Sequence, residues 1–209
     1  MGEIIMRYFI LLVIFFAGCG IVNVPVQTRD SFTKCYCEKS IGIDSLININ
    51  GVYVDSKSWS KEPTISSFDS MGHVFIFYSN GFFLKDACIS CFLSNKTKYN
   101  GGGEWGLFSI HGDTIKAQFI EPPGCMSWSK GEIWFEIIDK QTIQLLYIKY
   151  YDAITEIEVK NHLSKKNGDI SIYKFLPLAD IPDYNKCWLI KERWLWCNGL
   201  EYEKWKEKK

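Results

Sequence analysis

The chain is short of the features that announce most enzymes and nucleic-acid proteins. It has no surplus of either charge: 24 Lys and Arg face 24 Asp and Glu, a formal net charge of zero. Without a basic excess there is no long-range field to draw nucleic acid, so no nucleic-acid partner is expected. Histidine is scarce. The three present, His73, His111 and His162, are far apart and fall at expected strand ends or in loops. G-x-S-x-G, H-E-x-x-H, the Walker loop and G-x-G-x-x-G are all missing, which removes the motif-bearing routes to serine hydrolysis, zinc catalysis and nucleotide binding. The glycine run at 101–103 is followed by neither Lys-Ser/Thr nor a helical pattern, so it reads as a loop rather than a phosphate cradle. Neither a catalytic residue nor a metal or cofactor site is expected. No apolar run reaches the roughly 18 residues that span a hydrocarbon core. No segment of helical period separates the apolar stretches, which argues against a parallel α/β sheet.

Aromatic residues, by contrast, are abundant at 16%, and most lie in strand-like runs, where flat side chains pack well on a pleated surface. The clearest unit is 104–121, EWGLFSIHGDTIKAQFIE, two strands joined at His111-Gly112-Asp113. A Gly112-Asp113 loop pairs Ile110 with Ile115, whereas a His111-Gly112 loop pairs Phe108 with Ile115. Either way Phe108, Ile110, Ile115, Ala117 and Phe119 share one face, and Ser109, Thr114, Lys116 and Gln118 share a wet one. Residues 73–79 and 82–87 flank Asn80-Gly81, a strong hairpin signal. A two-residue turn there puts Phe75, Phe77, Phe82 and Leu84 on one face and Val74, Ile76, Tyr78 and Phe83 on the other. Both faces are apolar, so this hairpin is central or covered from outside, for instance by a terminal segment. Around 139–142, a four-residue loop gathers Ile133, Phe135, Ile137, Leu146 and Ile148 and sets Glu136 opposite Leu145. Glu132 and Glu136 share the other face and read as solvated. Residues 47–54, 153–159 and 170–176 complete eight or nine strands at the spacing of sandwiches and barrels. The expected fold is all-β, an antiparallel meander of about eight strands closing as a barrel, which removes exposed edges.

The N-terminus carries the most specific pattern. Residues 8–16, YFILLVIFF, follow Arg7 and precede Ala17-Gly18-Cys19, the basic, apolar, small-residue order of an export signal. Phe16-Ala17-Gly18-Cys19 resembles the lipobox of bacterial lipoproteins, with Phe where the family prefers Leu. That resemblance implies acylation of Cys19 and anchoring to a membrane of the cell envelope, the outer membrane in particular, since several acyl chains bind a bilayer stably. Gly51-Val52-Tyr53 is similar to the Gly-x-Trp opening of lipocalins, so the barrel is expected to be lipocalin-like. The chain then divides into a signal at 1–18, a tether at 19–45, the barrel at 46–178 and a Trp-rich C-terminal appendage at 179–209. Within the last, 186–198 (KCWLIKERWLWCN) reads either as a helix ending at Gly199 or as an extended segment flanking the barrel. Residues 201–209 read as charged and frayed.

Seven cysteines remain besides Cys19, and an oxidising compartment favours disulfides, with at least one thiol left over. A helical 186–198 would hold Cys187 and Cys197 about 15 Å apart, too far for a bond, so Cys125 is the better partner for one of them. Cys88 and Cys91 lack the following helix of a redox pair. Joined with Cys35 and Cys37 they would offer zinc four thiolates, but C-x-C is not knuckle spacing.

These features describe a lipid-anchored envelope protein that binds rather than transforms. The expected occupant is a small apolar ligand held by Phe108, Ile110, Ile115 and Phe119 inside the barrel. An assembly factor working through Trp188, Trp194 and Trp196, and a hydrolase without a motif, are the alternative readings. A protein partner is not specified by the sequence.

Overall fold

The computed structural model describes residues 23–38, 43–58, 73–86, 103–122, 128–165 and 171–209. The export segment with Cys19, the C-x-x-C at Cys88 and Cys91, and Cys125 lie outside the described residues. Eight strands follow in chain order: β1 (Gly51–Asp55), β2 (Val74–Phe77), β3 (Phe82–Asp86), β4 (Glu104–His111), β5 (Thr114–Glu121), β6 (Ser129–Asp139), β7 (Thr142–Tyr150) and β8 (Ser171–Pro177). Each pairs antiparallel with the next, and β8 pairs with β1, so the meander closes as an eight-stranded barrel. Eight strands leave an interior just wide enough for side chains to fill. Here Phe75, Phe77, Phe83, Phe119, Phe135 and Tyr173 fill it, with ring centroids such as Phe75–Phe135 and Phe75–Tyr173 both 4.8 Å apart. Tight turns gather at one end of the barrel. A 3-10 turn at Ile43–Ser45 packs Ile43 and Ile47 into the same interior. The longer connections leave and re-enter the strands at the other end.

The β4–β5 hairpin forms with the Gly112-Asp113 loop: Ile110 faces Ile115, and His111 faces Thr114. Gly112 takes φ 64°, which a two-residue hairpin turn requires and only glycine adopts freely. The next hairpin corrects the expected register. Tyr78 N–H donates to Phe82 O at 3.0 Å, so the β2–β3 loop has three residues, Ser79-Asn80-Gly81, with Gly81 at φ 89°. One added residue reverses every side chain of β3. Phe83 therefore points inward with Phe75 and Phe77, while Phe82 and Leu84 point outward with Val74, Ile76 and Tyr78. Between β6 and β7, two irregularities shift the pairing, and Glu136 faces Gln144 rather than Leu145. Leu145 packs toward the interior, while Leu146 joins Trp134 on the outer wall.

The expected strand at 153–159 is instead the start of helix α2 (Glu156–Lys165), numbered after α1 (Val26–Ser31). Thr155-Glu156-Ile157-Glu158 is a capping box: Glu158 N–H donates to Thr155 Oγ1 at 3.3 Å, and Glu158 Oε2 accepts from Thr155 N–H at 2.9 Å. Lys149 Nζ donates to Glu158 Oε1 at 2.7 Å. The Lys149 contact first, then the two Thr155 hydrogen bonds, hold the Glu158 carboxyl down to about 2. A depressed folded-state value means the contribution is complete above the ordinary carboxylate range and is lost as pH falls through about 2. Protection of the amides in the first turn of α2, measured against their intrinsic exchange rates at each pH, should therefore fall between about pH 4.5 and pH 2, and Glu158→Gln should flatten that response; a pH-independent protection would contradict the box.

The terminal segments form a second layer. A tether is expected at 19–45, but Val24, Phe32 and Tyr36 within it pack. Val24, Phe32 and Tyr36, with Cys187, Leu189, Ile190, Leu195 and Trp196, cover the outward apolar faces of β1–β4. The covered hairpin thus finds its outer wall in both termini. Residues 186–198 form no α-helix. They run as 3-10 turns at Tyr184–Lys186, Leu189–Lys191 and Arg193–Leu195 that flank the barrel. Gly199 opens rather than ends a helix, α3 (Gly199–Glu207), capped by the Asn198 side chain accepting from Leu200 N–H at 2.9 Å. This also corrects the expectation of a frayed 201–209. Within this layer the two terminal segments are clasped where Tyr36 pairs with Trp196. A disulfide joins Cys35 to Cys197, across 162 residues of chain. Cys197 therefore bonds Cys35 and not Cys125, and Cys35 is removed from any zinc quartet. Cys37 and Cys187 are free thiols.

Candidate functional site

Period-two alternation decides which side chains β4, β5 and β6 turn outward: Leu107, Ser109 and His111; Thr114, Lys116 and Gln118; Lys130, Glu132 and Trp134. Cross-strand pairing sets Ser109 against Lys116, Lys116 against Trp134 and Gln118 against Glu132. The expected wet face is in fact crossed by the N-terminal segment. Gln118 Oε1 accepts from the backbone N–H groups of Thr33 and Lys34 at 2.9 and 3.2 Å. Its Nε2 donates to Thr33 Oγ1 at 2.9 Å and to Glu132 Oε2 at 3.3 Å. Glu132 Oε1 also accepts from Trp134 Nε1 at 2.7 Å. Gln118 and Glu132, expected to be solvated, are accordingly buried. A polar group that satisfies a passing backbone is retained under cover, because leaving either side unpaired would cost more than covering both.

This pinning delivers Lys34 to β4. Its Nζ donates to Ser109 Oγ at 2.6 Å, and the same oxygen lies 3.0 Å from His111 Nε2. Burial pushes the Lys34 ammonium below its usual value, Glu132 works against that shift, and Lys116 adds to it. Lys116 Nζ stands 3.6 Å over the Trp134 ring, a cation–π contact.

Beside this group a cleft of about 300 Å³ opens between the barrel wall and α2. Trp134, Leu146 and Val159 supply its apolar lining, with His111, Lys116, Lys160, Thr114 and Glu156 as its polar residues. On the other side of Ser109 lies a second cleft of about 220 Å³, bounded by Lys34, Tyr36, Cys37, Leu107 and Ser109.

The four residues expected to hold a ligand are placed differently. Phe108, Ile115 and Phe119 are buried in the packed interior, and half-buried Ile110 packs against it. Phe108 meets Phe77 at 5.0 Å, and Phe119 meets Tyr150 at 5.7 Å. At the end away from the tight turns, Lys85 points into the barrel, 1% exposed, paired with Glu104 at 2.5 Å. The tryptophans of the appendage are also engaged in packing. Trp196 is buried and donates to Ile190 O at 3.0 Å, Trp194 donates to Glu192 Oε2 at 2.9 Å, and Trp188 packs at a tilt against Trp128, ring centroids 5.1 Å apart.

His111 is the histidine that stands beside Ser109 and the cleft. Its spacing from Ser109, two residues along one strand, is legible in the sequence; the arrival of Lys34 is not. No group of three or more potential metal-ligating side chains is present among the described residues. No protein-family model, curated protein or solved structure matches the chain.

Proposed function

We propose that the protein is a bacterial envelope lipoprotein, anchored through acyl chains on Cys19, whose lipocalin-like barrel supports a ligand-binding cleft on its outer wall. The observation that carries the binding role is the cleft against α2, with Trp134, Leu146 and Val159 as apolar lining and Lys116, Lys160 and His111 as basic neighbours. Ligand sites commonly combine a mostly apolar concavity with a few polar groups that fix orientation. The occupant that fits is a small molecule with an apolar body, and the basic groups favour a negative end. The described interior is filled by the protein's own rings, so Phe108, Ile110, Ile115 and Phe119 act behind the cleft, holding β4 and β5 in shape. The assembly reading is weaker, because Trp188, Trp194 and Trp196 are occupied in covering the barrel.

Decanoate serves as the probe. Titration should shift the Trp134 indole N–H resonance saturably, and decanol should bind more weakly because it lacks the charge. Leu146→Lys, which fills the apolar lining, should weaken decanoate at least tenfold, whereas Phe108→Leu should leave it within about twofold. A non-saturating shift, or one indifferent to Leu146→Lys, would overturn the cleft reading. In the same cells, a fatty-acid analogue should label the wild type and not Cys19→Ser, which should leave the membrane fraction.

A further inference from the structure

We infer that Ser109, His111 and Lys34 form an acyl-transfer site on the outer wall of the barrel, one that hydrolyses small carboxylic esters. The argument begins with the valences of the serine hydroxyl. Oγ carries one proton and two lone pairs. The Lys34 ammonium has donors only, so its 2.6 Å contact uses a lone pair of Oγ. The hydroxyl proton is then free to point at His111 Nε2, 3.0 Å away, which accepts it in the neutral tautomer with its proton on Nδ1. A nucleophile within hydrogen-bond reach of a base, with a cation at its oxygen, is the minimum arrangement for nucleophilic acyl chemistry.

The arrangement does not depend on a long surface lysine wandering into place. Ser109 and His111 share one face of β4 by alternation. Lys34 is delivered by a segment whose backbone is tied to Gln118 Oε1 and whose next residue is in the Cys35–Cys197 disulfide. Burial lowers the Lys34 pKa, which marks a cation short of solvation. An oxyanion developing beside Oγ would supply the negative partner that solvent does not. There is room for a substrate on both sides: the apolar cleft next to His111 takes the acyl body, and the smaller cleft next to Ser109 takes the alcohol. Only this placement of the acyl chain rests on the binding reading above.

The step balances without any further reagent than water. Ser109 Oγ forms a bond to the ester carbonyl carbon, its proton passes to His111 Nε2, and the carbonyl π pair moves onto oxygen beside the Lys34 ammonium. Collapse of that adduct breaks the ester C–O bond, and His111 returns the proton to the departing alkoxide. Water then adds to the acyl-serine, giving a proton to His111, and the acid leaves as Ser109 Oγ recovers that proton.

Diisopropyl fluorophosphate tests the nucleophile directly, because an Oγ–P bond forms as fluoride leaves and the adduct is read by mass spectrometry. Folded wild-type protein should gain one adduct, mapped to Ser109 and absent in Ser109→Ala. His111→Gln, at an exposed position, should slow adduct formation by about 100-fold or more, and Lys34→Gln should slow it as well. p-Nitrophenyl butyrate should be hydrolysed faster than the acetate, an advantage that Leu146→Lys removes. The inference is overturned if no adduct forms at Ser109, or if it forms equally fast in His111→Gln. Ser109-dependent hydrolysis without a chain-length preference would remove the cleft's part and keep the nucleophile. Decanoate binding without any adduct would do the reverse.

Discussion

Phe119→Ala should cost the fold about 3–5 kcal/mol, the loss expected when a buried aromatic ring leaves a cavity. Phe119 is fully buried and stands opposite Gly131 in the β5–β6 ladder. Its ring is laid against the glycine: a Cβ on residue 131 would come within 2.1 Å of the ring's Cζ. Glycine in a strand gives up side-chain packing, and its place in a small barrel is a close approach of this kind. Gly131→Ala should therefore cost about 1–3 kcal/mol by overpacking. In a Phe119→Leu background most of that cost should disappear, since the smaller side chain vacates the space. Urea midpoints for the two single variants and the pair give the coupling. Additive losses would mean that the ring does not depend on the glycine, and the packing described for this end of the barrel would be wrong.

Physical rules that act over a few residues were readable in the sequence, and those that need distant chain were not. The β4–β5 hairpin was legible because Gly112-Asp113 carries its own turn chemistry and both strands alternate. The β2–β3 hairpin was half legible. Asn80-Gly81 marked the turn, but the choice between two and three loop residues depends on which of Phe82 and Phe83 the interior accepts. That choice is made by β8 and β6, through Tyr173 and Phe135. The capping box at Thr155 was available as a local signal, and only the expectation of a strand at 153–159 hid it. Gln118 and Glu132 looked solvated because nothing near them in sequence covers them; residues 33 and 34, 84 or more positions away, do so. The candidate site follows the same division. Ser109 and His111 are neighbours by strand period, while Lys34 arrives from the other layer. The Cys35–Cys197 bond likewise joins the two ends of the described chain, and no spacing rule points to it.

The second large effect concerns the end of the barrel away from the tight turns. Glu104→Leu should destabilise the protein by about 3–5 kcal/mol, because it strands a buried ammonium. Among the described residues, Lys85 Nζ would then keep the rings of Phe119 and Tyr150, 5.1 and 5.8 Å from their centroids. Lys85→Met should behave differently. Burial already holds the Glu104 carboxyl above its usual range, with Lys85 pulling the other way, and its Oε2 has no hydrogen-bond partner. Removing the lysine leaves an acid that can take up a proton. A raised folded-state value favours the protonated form, so the stability it contributes is full below the ordinary carboxylate range and is lost as pH rises through the folded value. Lys85→Met should accordingly match the wild type near pH 4 and fall behind it at pH 7. The double variant Lys85→Met/Glu104→Leu should recover to within about 1 kcal/mol of wild type or exceed it, since apolar side chains of similar volume replace a buried pair without its desolvation cost. Urea midpoints at the two pH values decide the matter, and a double variant as damaged as Glu104→Leu would show that the pair itself holds the barrel together. Recovery would mean that packing of the interior rings, rather than the charge pair, closes this end. The buried ammonium would then stand there as a group the fold tolerates and does not need.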